Sequence, residues 1–244
     1  MAIDFTSYRQ ESLRKNGEMR NSLAQDDARE NQLIDLFNLE RPENRVRHGT
    51  DAILKLAGKT LEFELKSATT ESRAVSTVRD LGPSHIEKWH NKHWIFAFYS
   101  KSGLAECKYV PPDGMKLWID RIWNYIEADF RIAERVPPLA DLDALESVLG
   151  KKAAYSEEDA RRLHKNQLTS AEYKSRMDTE EGYTPARMLD IFRERTRYLI
   201  ERGSTLNNPH IPASFFEPFP AITKDHAVTL RKLARNWLKS RQSS

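Results

Sequence analysis

Asp51, Glu64 and Lys66 are side chains of the types that handle divalent cations and phosphate, and their spacing brings them together. The segment Asp51-Ala-Ile-Leu-Lys-Leu-Ala-Gly-Lys-Thr-Leu-Glu-Phe-Glu-Leu-Lys66 alternates apolar and polar residues on either side of Gly58, which is the pattern of a β-hairpin. With Ala57-Gly58 as a two-residue turn, cross-strand partners are equidistant from that turn. Asp51, six residues before Ala57, then faces Glu64, six residues after Gly58. In this register Ala52, Leu54, Leu56, Leu61, Phe63 and Leu65 share a core face, while Asp51, Ile53, Lys55, Thr60, Glu62, Glu64 and Lys66 share the other. The turn chemistry is only moderate, because a type I′ turn prefers Asn-Gly.

Directly opposed residues have Cβ atoms roughly 4.5–5.5 Å apart, and like charges at that separation repel. A divalent cation between the two carboxylates converts the repulsion into coordination. Oxygen-only ligands beside an ammonium suit Mg²⁺, which takes few carboxylates and keeps positions open for water and phosphate. Lys66, two residues beyond Glu64, points to the same side and is placed to activate a water or stabilise charge on a phosphate. A solvated strand face with scattered charges gives the same pattern, so the hairpin alone leaves both readings open.

The elements that must position these residues follow from periodicity. Residues 1–40 read as helix, polar from Ser7 to Leu23 and carrying Leu33, Ile34, Leu36 and Phe37 at helical spacing, with Pro42 as the stop. A second strand pair is expected at Trp94–Tyr99 and Leu104–Tyr109 with Ser102-Gly103 at the turn, and the first of these is apolar on both faces, as for a central strand. After Pro111-Pro112 a helical stripe runs through Met115, Trp118, Ile119, Ile122, Trp123, Ile126 and Phe130, and Pro137-Pro138 breaks it. Short charged helices follow to Gly203, with starts at Ser156 and at Thr184-Pro185. Residues 207–220 carry four prolines and read as an irregular loop, and a basic amphipathic helix spans about Thr223 to Arg241. The expected segments are 1–112, amino-terminal helices plus a sheet; 113–206, helical; and 207–244, a loop and the last helix, all within one compact unit.

Composition narrows the field. The 244 residues hold 39 Lys plus Arg against 36 Asp plus Glu, a net +3, with a mean hydropathy of -0.70. No run approaches the roughly 18 apolar residues of a membrane span, and the amino end has no apolar signal stretch, so membrane and secreted classes are disfavoured. One cysteine, Cys107, excludes an internal disulfide framework and a Cys-rich zinc site.

Asp-x(12)-Glu-Leu-Lys is a form of the PD-(D/E)XK nuclease signature, with Thr50 in place of the proline. The flanking text makes the likeness specific: Gly49-Thr-Asp51-Ala, Phe63-Glu64-Leu65-Lys66-Ser67, Ser76-Thr77, Pro83, Trp94-Ile-Phe-Ala-Phe-Tyr99 and Asn207-Asn208-Pro209-x-Ile211-Pro212 occur in order. Over about residues 27–110 and 207–213 the chain resembles the PvuII-like type II restriction endonucleases of the PD-(D/E)XK superfamily. The resemblance implies an α/β (α+β) fold, a mixed, mostly antiparallel sheet flanked by helices. It implies a homodimer that cleaves both strands of a palindromic site in double-stranded DNA, leaving blunt ends, in a prokaryotic cytoplasm where a cognate DNA methyltransferase protects the host. Asp51, Glu64 and Lys66 become the catalytic set, with Asp51 and Glu64 holding Mg²⁺. Asp27 takes the place of an acidic side chain near the minor groove, and Ser76, Thr77, Asn207, Asn208 and His210 lie in the DNA-facing segments.

Departures from the family text carry their own expectations. The hairpin is three residues longer, Trp89 replaces a tyrosine near the metal site, and 113–206 has no counterpart. Where the relative has histidines facing the major groove, this chain reads Val78-Arg79-Asp80. Arg bonds bidentately to guanine and Asp accepts from cytosine, so Arg79 and Asp80 are expected to read a G·C-containing site, with a mutual surface salt bridge as the bland alternative. A repair or junction-resolving nuclease on the same scaffold and a non-catalytic DNA-binding protein are the competing functions. Among other candidates, His85, His90 and His93 read as solvated or DNA-facing rather than metal ligands, and Cys107, Trp118 and Trp123 as core. The basic residues Lys224, Arg231, Lys232, Arg235, Lys239 and Arg241, and Arg193, Arg195 and Arg197, fit either phosphate contacts or solvated helix faces.

Overall fold

The computed structural model of the chain describes residues 27–42, 49–78, 81–205 and 208–241. Their described residues divide between two compact units, one from Met1–Val78, Ser84–Asp120 and Pro209–Ser244, the other from Arg79–Pro83 and Arg121–Asn208. The expected polar helix at Ser7 to Leu23 lies outside the described residues.

The first unit is built on a five-stranded sheet of order β1-β2-β4-β5-β7, with β1 Ala52–Leu56, β2 Lys59–Thr69, β4 His93–Ser100, β5 Gly103–Val110 and β7 Ala221–Ile222. Strands β2 and β4 run parallel and the other neighbours antiparallel, so the sheet is mixed and mostly antiparallel, as expected. The parallel pair needs a crossover. It is made by β3 (Val75–Ser76) and a short helix, α2 (Pro83–Trp89). Every residue of β4 from His93 to Tyr99 is buried, which agrees with a central strand. Its side chains alternate between two cores. Ile95, Ala97 and Tyr99 join Leu54, Leu61, Phe63 and Leu65 under Leu33, Ile34 and Phe37 of helix α1 (27–37) and Leu230, Ala234 and Leu238 of α8 (His226–Ser240). Trp94, Phe96 and Phe98 face the other way, onto Trp89 and Phe216.

The segment 207–220, expected as an irregular loop, holds a short strand at His210–Ile211, α8 begins at His226 rather than Thr223, and two further boundaries differ from the sequence reading. Helix α1 stops at Phe37 rather than Pro42, because Asn38 turns left-handed (φ 49°) and the Leu39 N–H returns to the Ile34 carbonyl. The β4–β5 turn lies at Lys101-Ser102, one residue earlier than expected, with Gly103 (φ 116°) opening β5 opposite Ser100.

Helix α3 (Pro112–Arg135) begins where the double proline predicts. In the second unit α4 (Leu142–Leu149), α5 (Glu157–His164), α6 (Ser170–Ser175) and α7 (Pro185–Gly203) follow. Ser156 and Thr184 are both N-caps, Ser156 in a full capping box with Asp159. This unit has its own core of Leu145, Leu149, Tyr155, Tyr173, Tyr183, Met188 and Ile191.

Candidate active site

The hairpin register is the one the alternation predicts. Ala52 pairs with Phe63, Ile53 with Glu62 and Leu56 with Lys59 across an Ala57-Gly58 turn in which both residues have positive φ (52° and 72°). All six expected core residues are buried. Asp51 sits one residue ahead of β1, its N–H bonded to the Phe63 carbonyl at 3.1 Å. The regular register ends at Ala52–Phe63, so Asp51 is not itself paired with Glu64, but the charge of Glu64 acts on its carboxyl. Its Oδ2 accepts the Leu65 N–H at 2.8 Å, which fixes the carboxylate against β2. Next to it, Thr50 donates its hydroxyl to Glu62 at 2.7 Å and so ties the entry to β1 to the outer face of β2.

Glu64 is buried, and both of its oxygens are engaged by ammonium groups. Lys66 Nζ donates to Oε1 at 2.7 Å and Lys92 Nζ to Oε2 at 3.4 Å. Lys92 was not foreseen from the sequence. It reaches the site because β4 lies parallel to β2 with Glu64 opposite Trp94. By the period of two, Lys92 then falls on the same face, beside Glu64. A second helper is Glu30 on α1, whose charge acts on both Asp51 and Lys66. The parallel register that delivers Lys92 leaves no local mark in the text, whereas the apolar face of 31–39 could have placed Glu30 near the sheet.

The electrostatics follow from this geometry. Burial, reinforced by the Glu64 charge, pushes the Asp51 carboxyl up to about 6. Burial works the same way on Glu64, but Lys66 and Lys92 outweigh it and hold the Glu64 carboxyl below the usual range. For Lys66, burial opposes the charged form and is overcome by Glu64 and Asp51, so its amine is held above the usual lysine value. Lys92 goes down: burial exceeds the pull of Glu64, and the nearby Lys88 adds to it. Two carboxylates that compete for ionisation, with all-oxygen donors, fit a small hard cation that fills its remaining positions with water. Among the described residues no cluster of three or more His, Cys, Asp or Glu side chains offers a fuller cage.

The other candidates separate. Ser76 and His210 are paired across the two-stranded ribbon of β3 and β6 (His210–Ile211), both exposed, and Thr77 donates its hydroxyl to the Pro209 carbonyl at 2.8 Å. Asp27 is exposed on α1 and Asn208 half-buried. Arg79, Asp80 and Asn207 lie outside the described residues. Trp89 is buried against Trp94 and Trp118 at ring separations of 5.2 and 6.0 Å, a packing role in place of a polar one. His93 corrects the reading of that histidine as solvated or DNA-facing. It is 2% exposed, bonded to the Tyr109 hydroxyl at 2.7 Å and covered by Trp237. Several basic side chains are occupied structurally: Arg193 and Arg197 donate to the Ala140 and Ala133 carbonyls, and Arg231 to those of Phe37 and Asn38 at the end of α1. Cys107 and Trp118 are core, as expected.

The family model described as restriction endonuclease PvuII matches residues 10–133, just over half of the chain. No curated protein matches it.

Proposed function

Because the chain belongs to the PvuII restriction endonuclease family, a family of type II site-specific deoxyribonucleases, we propose that Asp51, Glu64 and Lys66 form its catalytic set. The reading is supported above all by one observation: the Asp51 carboxylate is bonded to the Leu65 N–H, between Glu64 and Lys66 in the sequence, with the Lys66 ammonium 2.7 Å from Glu64. In this reading Asp51 and Glu64 hold Mg²⁺. When bound, the ion supplies charge neutralisation at the scissile phosphate and lowers the pKa of the attacking water. Asp51 is kept in place by the Leu65 N–H. Lys66 turns its ammonium toward the phosphate and stabilises the charge that develops as the water oxygen bonds to phosphorus and the bond to the leaving sugar oxygen breaks.

The same reading makes the protein a homodimer, since two symmetry-related sites are what cutting both strands of a palindrome requires. The cut is blunt, the DNA is contacted through Asp27, the Ser76–His210 ribbon, Thr77, Asn207 and Asn208, and Arg79 and Asp80 read a G·C pair. The setting is a prokaryotic cytoplasm in which a methyltransferase protects the host's own copies of the site. Among the described residues no helix is long and apolar enough to cross a membrane.

Digesting a mixed DNA substrate with Mg²⁺ and sequencing the ends tests the activity, the site and the blunt cut together. Lys66→Ala is expected to lower the cleavage rate by roughly 10²–10³-fold while leaving specific binding in place. A variant that cuts at the wild-type rate removes Lys66 from the mechanism. Wild-type protein that leaves all DNA intact overturns the reading.

A further inference from the structure

Lys92 takes no part in the chemistry just described, yet of the two ammonium-bearing side chains on Glu64 it is the less exposed, though its bond is the longer, 3.4 Å against 2.7 Å. The Lys66 side chain is 20% exposed and that of Lys92 only 1%. Lys92 Nζ also donates to the Gly49 carbonyl at 3.3 Å, two residues ahead of Asp51. One buried ammonium thus ties the backbone entering β1 to the carboxylate carried by β2. A buried charge that loses its partner is strongly destabilising, so Lys92 stays on Oε2. Lys66, the more exposed of the two, is in the proposed reading the ammonium that turns toward the phosphate and gives up Oε1.

We infer that Lys92 is a positioning residue that keeps one oxygen of Glu64 occupied, so that Glu64 offers a cation a single oxygen, and that this sets the site's preference for Mg²⁺ over Ca²⁺. The inference rests on the reading of Asp51 and Glu64 as the metal pair. Ca²⁺ takes six to eight oxygens and often draws both oxygens of one carboxylate, whereas Mg²⁺ demands octahedral geometry and retains waters. A carboxylate limited to one oxygen therefore costs Ca²⁺ more than Mg²⁺. Removing the Lys92 ammonium returns Oε2 to the cation and favours the larger ion.

The test is calorimetric titration of the full chain, freed of metal, with MgCl₂ and with CaCl₂ in separate runs, for wild type, Lys92→Met, Lys92→Leu and Glu64→Gln. Wild type is expected to bind Mg²⁺ and Glu64→Gln to bind it at least about tenfold more weakly. In Lys92→Met the Ca²⁺:Mg²⁺ affinity ratio is expected to shift toward Ca²⁺ by about tenfold, equivalent to about 1.4 kcal/mol. A merely structural lysine would not move this ratio, because a loosened site loses both ions alike. Lys92→Leu reads the same ratio should the Met variant lack the native near-ultraviolet spectrum. A ratio within twofold of wild type in a natively folded variant, or parallel loss of both ions, overturns the inference and leaves the metal pair standing. Wild type that takes up no Mg²⁺, or Glu64→Gln that binds it undiminished, fells the metal pair and the inference with it.

Discussion

Asp51 is held where its charge is unwelcome: burial and the neighbouring Glu64 push its carboxyl up to about 6. Between about pH 4 and 6 the folded protein therefore binds a proton that the unfolded chain has released, and stability declines as pH rises through that window. Above it the full penalty persists, and a bound cation offsets it. Asn at this position keeps an oxygen for the Leu65 N–H and discards the charge. Asp51→Asn is accordingly expected to stabilise the metal-free protein at pH 7 by about 1–2 kcal/mol while abolishing Mg²⁺-dependent cleavage. Calorimetry with and without Mg²⁺ checks this. A lower melting temperature for the variant, or a variant that Mg²⁺ stabilises as much as wild type, contradicts it. Asp51, Glu64 and Lys66 could be read from the text because a short hairpin brings them together, and a hairpin's register is local. Lys92 could not, since its place depends on a parallel pairing between strands separated by a crossover.

The β1–β2 hairpin also shows where an element falls short of its best sequence. Ala57 adopts φ 52°, a left-handed conformation that costs an L-residue with a Cβ roughly 1–2 kcal/mol. Asn is tolerated there, and Asn-Gly is the preferred type I′ pair. Ala57→Asn is expected to stabilise the protein by about 0.5–1 kcal/mol with cleavage unchanged, measured by urea unfolding and a plasmid assay. A destabilised variant would mean that the turn is of another type. Alternation and proline positions make β1, β2, β4, β5, α3 and the caps of α5 and α7 legible, because these signals act within a few residues, whereas the two-residue strands β3, β6 and β7 are too short to leave such a pattern. The end of α1 is not legible in this way: Pro42 is the nearest breaker in the sequence, while the stop is the left-handed turn at Asn38, whose preceding Phe37 carbonyl and own carbonyl are taken up by Arg231 from a helix nearly two hundred residues away. That partner is also why a basic helix did not translate directly into a phosphate-binding face. The guanidinium groups of Arg193, Arg197 and Arg231 are spent, at least in part, on backbone carbonyls.

A source of acid sensitivity lies beside the candidate site, on the core face of the same strands. His93, enclosed by Phe63, Tyr109 and Trp237, is pushed by burial down to about 4 from 6.5. Below about pH 6.5 the unfolded chain takes up a proton that the folded one refuses, so stability is lost as pH falls from 6.5 toward 4. The full loss from this one ring is on the order of 3 kcal/mol. Asp51 acts in the opposite direction over much of this range, so His93→Gln is expected to raise stability at pH 5 relative to pH 7, compared with wild type, in urea unfolding, and an unchanged difference would take His93 out of the pH dependence. The order of the sheet bears on biosynthesis as well. Strand β5 meets β7 through Cys107 and Ile222, more than a hundred residues apart. While a ribosome is still making the intervening chain, β5 presents a bare edge of the kind that recruits other strands. A cell synthesising this nuclease thus completes the hairpin bearing the acids early and the sheet that holds it late, and chaperone cover on the nascent chain matters most in that interval.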